Sequence, residues 1–220
     1  MKHTKVMAIY PHLDDETFGK SSALALHVQE DAVVCGTLGQ MGKNMGKPIF
    51  ATRESMSEIR EKELRVACEA LGVKNIYLHG LCDKMVEFED PDYVANLILK
   101  IMEDVRPTLI YTYYSPYRVH PNHDAMALAT LIVVRRLPEN ASPQIYASPI
   151  THDIIKILSA PDVELDVTNV LDAKLTAYRA HRSQSEAMMA RMRAKIAEHP
   201  ELREEIECPL KQEQYWIYTV

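Results

Sequence analysis

The sequence predicts an α/β fold: a single domain over residues 1–220 whose largely parallel sheet is covered by helices on both faces. Two observations carry this. Short apolar runs rich in β-branched and aromatic residues alternate with longer segments whose apolar positions recur three and four residues apart. Strand and helix in strict turn build βαβ units, which join parallel strands. A hydrophobic content of 47% over 220 residues can also bury one sizeable core, and no repeat, linker or low-complexity tract divides the chain.

The first strand is read at residues 5–10 (KVMAIY), followed by a helix over Thr17 to Gln29. A second strand at 32–38 (AVVCGTL) leads through GQMGKNMGKP (39–48) to a helix over Arg53 to Leu71, stopped by Gly72. The glycine-rich stretch lacks the GxxxxGK[ST] pattern of a phosphate cradle, so it is expected to be a loop that covers a substrate. A third strand at 75–80 (NIYLHG) and a helix over Asp92 to Val105, stopped by Pro107, precede a fourth strand at 108–114 (TLIYTYY). The loop SPYRVHPNH (115–123) then enters a helix from about Asp124 to Arg136. Beyond it a proline-punctuated region holds QIYAS and VELDV, residues from about Asn169 to Glu205 read as helical, and YWIYTV reads as a final strand.

Composition narrows the function classes. A formal charge of -6 argues against a general nucleic-acid binder, which needs a basic face, so an anionic ligand must be met by a few local Arg or Lys residues. No apolar run is long enough to span a bilayer, and MKHTKVMAIY is too short and strand-like for a signal peptide, so a cytoplasmic location is expected. Cys35, Cys68, Cys82 and Cys208 form no CxxC pair and are read as reduced thiols, with neither a disulfide framework nor a thiolate metal site.

Sites in such a sheet form outside the carboxyl ends of the strands, and two motifs fall there. PHLDDE (11–16) follows the first strand; HPNHD (120–124) follows the fourth and enters a helix. Two carboxylates beside a His in so short a turn are costly to bury without partners. Helix capping by Asp14 or Asp15 is the plain alternative, as a solvated loop residue is for each His. The fold lets both motifs share one crevice. Two imidazoles and one carboxylate are the ligand set of a catalytic zinc site with a position open for water. A spare carboxylate can then take the water proton, and a spare His can stabilise the oxyanion or protonate the leaving amine. Spacing alone does not say which Asp plays which part.

PHLDDE resembles the AHPDDE signature of the LmbE/PIG-L deacetylases, and HPNHDA resembles their second motif, HPDHxA. The resemblance implies a Rossmann-like α/β domain in which His12, Asp15 and His123 bind Zn2+, Asp14 is the general base and His120 assists the transition state. The same ligand set also accepts Fe2+ or Co2+. Leu13 stands where the signature usually has Pro, which alters the turn rather than the ligands. GQMGKNMGKPIFATRE (39–54), the stretch around Asp83 and EFEDPDY (87–93) resemble the second type of bacillithiol-biosynthesis deacetylase within that family, over most of the chain. That likeness implies a small amino-sugar substrate, N-acetylglucosaminyl malate, and a homo-oligomer. Arg53 and Asp83 fall at its substrate-binding positions, and Arg118, two residues before His120, is within reach of the same ligand. A guanidinium suits a carboxylate or sugar oxygen, and an ionised Asp suits sugar hydroxyls. An amidase of bacillithiol S-conjugates, a deacetylase of other N-acetylated sugars, and a non-catalytic zinc or sugar-binding protein are the competing expectations. KLTAYRAHRSQ (174–184) places His181 and Gln184 on one helical stretch, where a structural hydrogen-bonding role is expected.

Overall fold

A computed structural model describes residues 5–19, 22–27, 31–115, 120–149, 157–158 and 160–219. Seven strands, β1 (Val6–Tyr10), β2 (Asp31–Thr37), β3 (Asn75–Leu81), β4 (Leu109–Tyr113), β5 (Gln144–Ser148), β6 (Val163–Asp166) and β7 (Gln212–Ile217), form one sheet in the order β3-β2-β1-β4-β5-β7-β6. The first five pair in parallel, while β7 runs antiparallel to both β5 and β6. The last strand is thus read in the right region but begins three residues earlier than YWIYTV, and it turns the far side of the sheet antiparallel.

Alternation along β1 shows why its whole run is apolar. Val6, Ala8 and Tyr10 enter the core beneath helices α2 (Met56–Ala70) and α5 (Leu171–Ala180), with Leu64, Ala67 and Ala177. Met7 and Ile9 enter the core beneath α3 (Pro91–Val105) and α4 (Pro121–Arg136), with Val94, Ile98, Met126 and Val133. A strand buried on both faces has no polar side to show. Two further helices, α6 (Arg182–Glu198) and α7 (Arg203–Glu207), complete the helical C-terminal third.

The expected helix over Thr17 to Gln29 is instead a single turn, α1 (Asp15–Phe18), followed by a 3-10 turn at Ser22–Leu26. Gly19 marks the break. A Cβ there would lie 2.4 Å from the Asp15 carbonyl oxygen and 2.8 Å from the Tyr113 hydroxyl, so only glycine lets the fourth strand's last side chain pass.

Chain direction changes across β1: β2 and β3 extend one way, β4 and β5 the other. The carboxyl ends of β1 and β4 therefore part at a topological switch point, where such sheets open a crevice. Both predicted motifs leave the sheet there.

Candidate active site

At the end of β1 the chain turns through Pro11 to Asp14 and starts α1 at Asp15. The Asp15 carboxylate accepts the His12 backbone N–H through Oδ2 at 2.9 Å and the Tyr113 hydroxyl through Oδ1 at 2.8 Å. The carboxylate is thus fixed from β1 and β4 at once. Asp14 takes the N-cap position but makes no capping bond with its side chain. At the end of β4, His120 caps α4 and His123 lies in its first turn, its ring stacked on Tyr113 with centroids 4.2 Å apart.

His12, Asp15 and His123 converge. His12 Nδ1 lies 3.1 Å from His123 Nε2 and 3.2 Å from Asp15 Oδ2, and the last two are 3.6 Å apart. Ligand bonds of roughly 2.0–2.2 Å in tetrahedral geometry leave neighbouring donors roughly 3.3–3.6 Å apart, so the three atoms fit one small divalent ion. His120 adds a third imidazole, and the ring nitrogens of His12, His120 and His123 also lie within 4.8 Å of one another. The described residues therefore include a cluster able to hold a metal ion, with the Asp15 trio the tighter set.

The electrostatics favour a cation there. Burial alone would lower the His12 imidazole, but the adjoining Asp15 and Asp83 carboxylates outweigh it and raise it to about 10. Burial would raise Asp15, yet His123, His12 and the Tyr113 hydroxyl hold it well below the usual carboxylate range. His123 is pushed down to about 4, chiefly by burial, which keeps its ring neutral as a ligand must be. His120 is lowered as well, by burial and then by His12.

Behind His12, Asp83 Oδ1 sits 3.2 Å from its Nε2 and accepts Asn122 Nδ2 at 3.0 Å, while Asp83 Oδ2 accepts the Met41 backbone N–H at 3.0 Å. A carboxylate on the ring nitrogen remote from a metal fixes tautomer and orientation. Asp14 faces the cavity held by Arg60, whose Nη2 is 2.7 Å from Asp14 Oδ1 and whose Nη1 donates to the Gly39 carbonyl at 3.0 Å. A cavity of about 430 Å³ opens over the cluster, lined by Asp14, Asp15, His12, His120 and His123 with Arg60, Asp83 and Gln184.

A family model described as PIG-L, GlcNAc-PI de-N-acetylase, matches residues 7–134, more than half of the chain. A Bacillus cereus protein named "probable N-acetyl-alpha-D-glucosaminyl L-malate deacetylase 2" is 43% identical over 216 residues, 97% of each chain. The chain belongs to the PIG-L family. It is thereby an enzyme of the deacetylase class, hydrolases that act on amide bonds. Among solved structures, the N,N'-diacetylchitobiose deacetylase of Pyrococcus horikoshii superposes with a TM-score of 0.71 at 24% identity, covering 98% of this chain and 84% of that one. The 4-carboxy-2-hydroxymuconate hydratase GalB of Pseudomonas putida gives 0.73 at 18% identity, covering 98% and 96%. The two likenesses establish the fold, and since one of these proteins is a deacetylase and the other a hydratase, the fold alone does not choose the chemistry.

Other predicted positions in this PIG-L chain fall differently. Arg53 is exposed and donates to the Gly42 carbonyl at 2.7 Å and the Gln40 carbonyl at 3.4 Å, bracing the 39–46 loop rather than lining the cavity. Asp83 lines the cavity, but both its oxygens already serve His12, Asn122 and Met41. Arg118 lies outside the described residues. The expected covering loop contributes Met41, Gly42, Lys43 and Asn44 to the cavity wall. His181 has the expected structural bond, 2.6 Å to Glu16 Oε1, both fully buried. Gln184, by contrast, reaches the cavity. Two participants lie outside both motifs, Arg60 and Tyr113, while Asn122 stands inside HPNHD without having been given a role. Arg60 carried a signal, since α2 buries Met56, Arg60, Glu63, Leu64 and Ala67, and a charge on that stripe needs a buried partner.

Proposed function

We propose that the protein is a zinc-dependent hydrolase that removes acetate from N-acetylglucosaminyl malate. The observation that carries this is the meeting of His12, Asp15 and His123 at one point beside a second carboxylate outside the trio, Asp14, which Arg60 holds by one oxygen. The near full-length likeness to the Bacillus cereus protein supports the choice of substrate.

In this reading His12, Asp15 and His123 hold the ion, which when bound polarises an amide carbonyl and eases deprotonation of water. Asp14 is the general base. Its Oδ1 is committed to Arg60, so the carboxylate is fixed in orientation with its other oxygen left to accept a proton from water. His120 sits across the cavity, its ring centroid 4.9 Å from that of His12 and its Nδ1 buried without a partner among the described residues. It is placed to donate to the oxyanion or to the departing amine. Asp83 and Asn122 orient His12 from behind rather than gripping sugar hydroxyls, a role that passes to neutral groups such as Gln184 and Asn44 on the cavity wall. A cytoplasmic homo-oligomer belongs to the same proposal; light scattering from the purified chain measures its assembly state.

The test is acetate release from N-acetylglucosaminyl malate with and without a chelator. Activity is expected to vanish on chelation and return with zinc. Asp14→Asn is expected to keep the bound metal and to lower kcat by roughly 10²- to 10⁴-fold. A variant as active as the parent, or activity indifferent to chelation, would sink the mechanism.

A further inference from the structure

The three carboxylates lining the cavity are all engaged. Asp14 pairs with Arg60, Asp15 with His12, His123 and Tyr113, and Asp83 with His12, Asn122 and the Met41 backbone. Arg60 already has its two terminal nitrogens on Asp14 and the Gly39 carbonyl. Two charges are left over. Lys43 and Lys84 line the same cavity, are exposed, and have no ion pair or hydrogen bond among the described residues. They come from different loops, Lys43 from the segment after β2 and Lys84 from the turn after β3 that carries Asp83 to His12. Lys84 has φ of 64°, a left-handed backbone uncommon outside glycine. A side chain kept at such a position, beside a working site, points to a task for the side chain.

The whole chain carries -6, whereas the cavity lining sets Arg60, Lys43 and Lys84 against three carboxylates, and the two ammonium groups have no partner of their own among the described residues. Such local focusing attracts an anion and fixes which end of a ligand enters first. We propose that Lys43 and Lys84 form an anion subsite that binds a carboxylate-bearing aglycone of the sugar, holding the acetamido group inward toward Asp14 and the donor trio. This rests on the deacetylase reading and deepens it, since malate offers two carboxylates.

The experiment compares kcat/KM for N-acetylglucosaminyl malate with that for the methyl glycoside of N-acetylglucosamine, whose aglycone is uncharged. Lys43→Ala and Lys84→Gly are each expected to lower the ratio roughly threefold and the pair about tenfold, through KM, as exposed ion pairs allow. Glycine suits the left-handed backbone at 84, so that variant removes the ammonium without straining the turn. Lys84→Arg should keep the ratio, and added salt should erode it in the parent but not in the double variant. An unchanged ratio in the double variant, or equal losses on both glycosides, overturns the subsite. Calorimetric binding of the deacetylated product, glucosaminyl malate, separates the two readings. If the parent binds it yet releases acetate from neither glycoside, the deacetylase reading fails. The subsite then stands on a tenfold weaker affinity in the double variant and falls if affinity is unchanged. No binding and no turnover overturns both.

Discussion

Asp15 is the most constrained group in the cavity, held by a backbone N–H from its own turn, a hydroxyl from β4 and two imidazoles. Tyr113→Phe removes the hydroxyl while keeping the ring stacked on His123, so the donor oxygen loses orientation without a cavity being opened. Zinc affinity is expected to fall roughly 10- to 100-fold, read by competition with a chromophoric chelator; an unchanged affinity would dismiss the tyrosine's role. Arg60→Met tests the other carboxylate. It leaves Asp14 without its partner, and kcat is expected to drop by at least about tenfold with metal content retained, because a general base loses its fixed direction. How much of this was legible differs by residue. PHLDDE and HPNHD announced His12, Asp15, His123, Asp14 and His120, since those types are costly in a turn and the alternation of strands said where turns meet. Tyr113 was hidden because an aromatic at a strand end reads as core, and Arg60 because helix periodicity was read for its apolar members only. The substrate role expected of Arg53 rests on likeness, and in the structure its guanidinium donates to the Gly42 and Gln40 carbonyls.

Elements were legible where one period dominated. The four early strands and α2, α3 and α4 were all found, because their apolar spacings have a single interpretation. Thr17 to Gln29 misled because its apolar residues do recur helically, while the reason for the break is a tertiary one: Tyr113 needs the room beside Gly19. The C-terminal helices dock on the sheet's helices through charges that no periodicity reveals. Glu63 of α2 accepts the Ser183 backbone N–H at 2.7 Å and its hydroxyl at 2.6 Å at the start of α6, where the helix dipole favours an anion. Glu16 of α1 meets His181 between α5 and α6. Replacing His181 by Leu leaves a fully buried carboxylate with the Thr17 hydroxyl but no imidazole partner, and a loss of roughly 3–5 kcal/mol in urea unfolding is expected; a change below about 1 kcal/mol would mean that Glu16 finds relief elsewhere. Glu213 of β7 plays the corresponding part for the last strand, accepting Lys174 Nζ at 2.9 Å and the Ala23 N–H at 3.0 Å.

At the scale of the whole molecule, Asp31 is a source of pH dependence remote from the cavity. Asp31 opens β2 at the amino-terminal end of the parallel strands, 5% exposed, with Oδ1 unpaired among the described residues, and burial raises its carboxyl to about 7 from 3.8. The folded chain therefore keeps this proton after the unfolded chain has lost it. Its contribution to stability is intact below the lower value and is lost as pH climbs through the upper one. Asp31→Asn is expected to flatten the decline between about pH 4 and 7 and to gain on the order of 1 kcal/mol above it; an identical pH profile in the variant would refute the assignment. A last consequence follows from the sequence separation of 111 between His12 and His123. Closing so long a loop costs entropy that only the docked sheet repays, so no fragment ending before β4 owns the nest of donors. A cation captured there cannot template early folding; it can only reward completion. Occupancy at a hundredfold excess over Kd should raise global stability by about 2.7 kcal/mol while leaving the refolding rate unmoved, which makes ion uptake a clock hand for the final step of assembly.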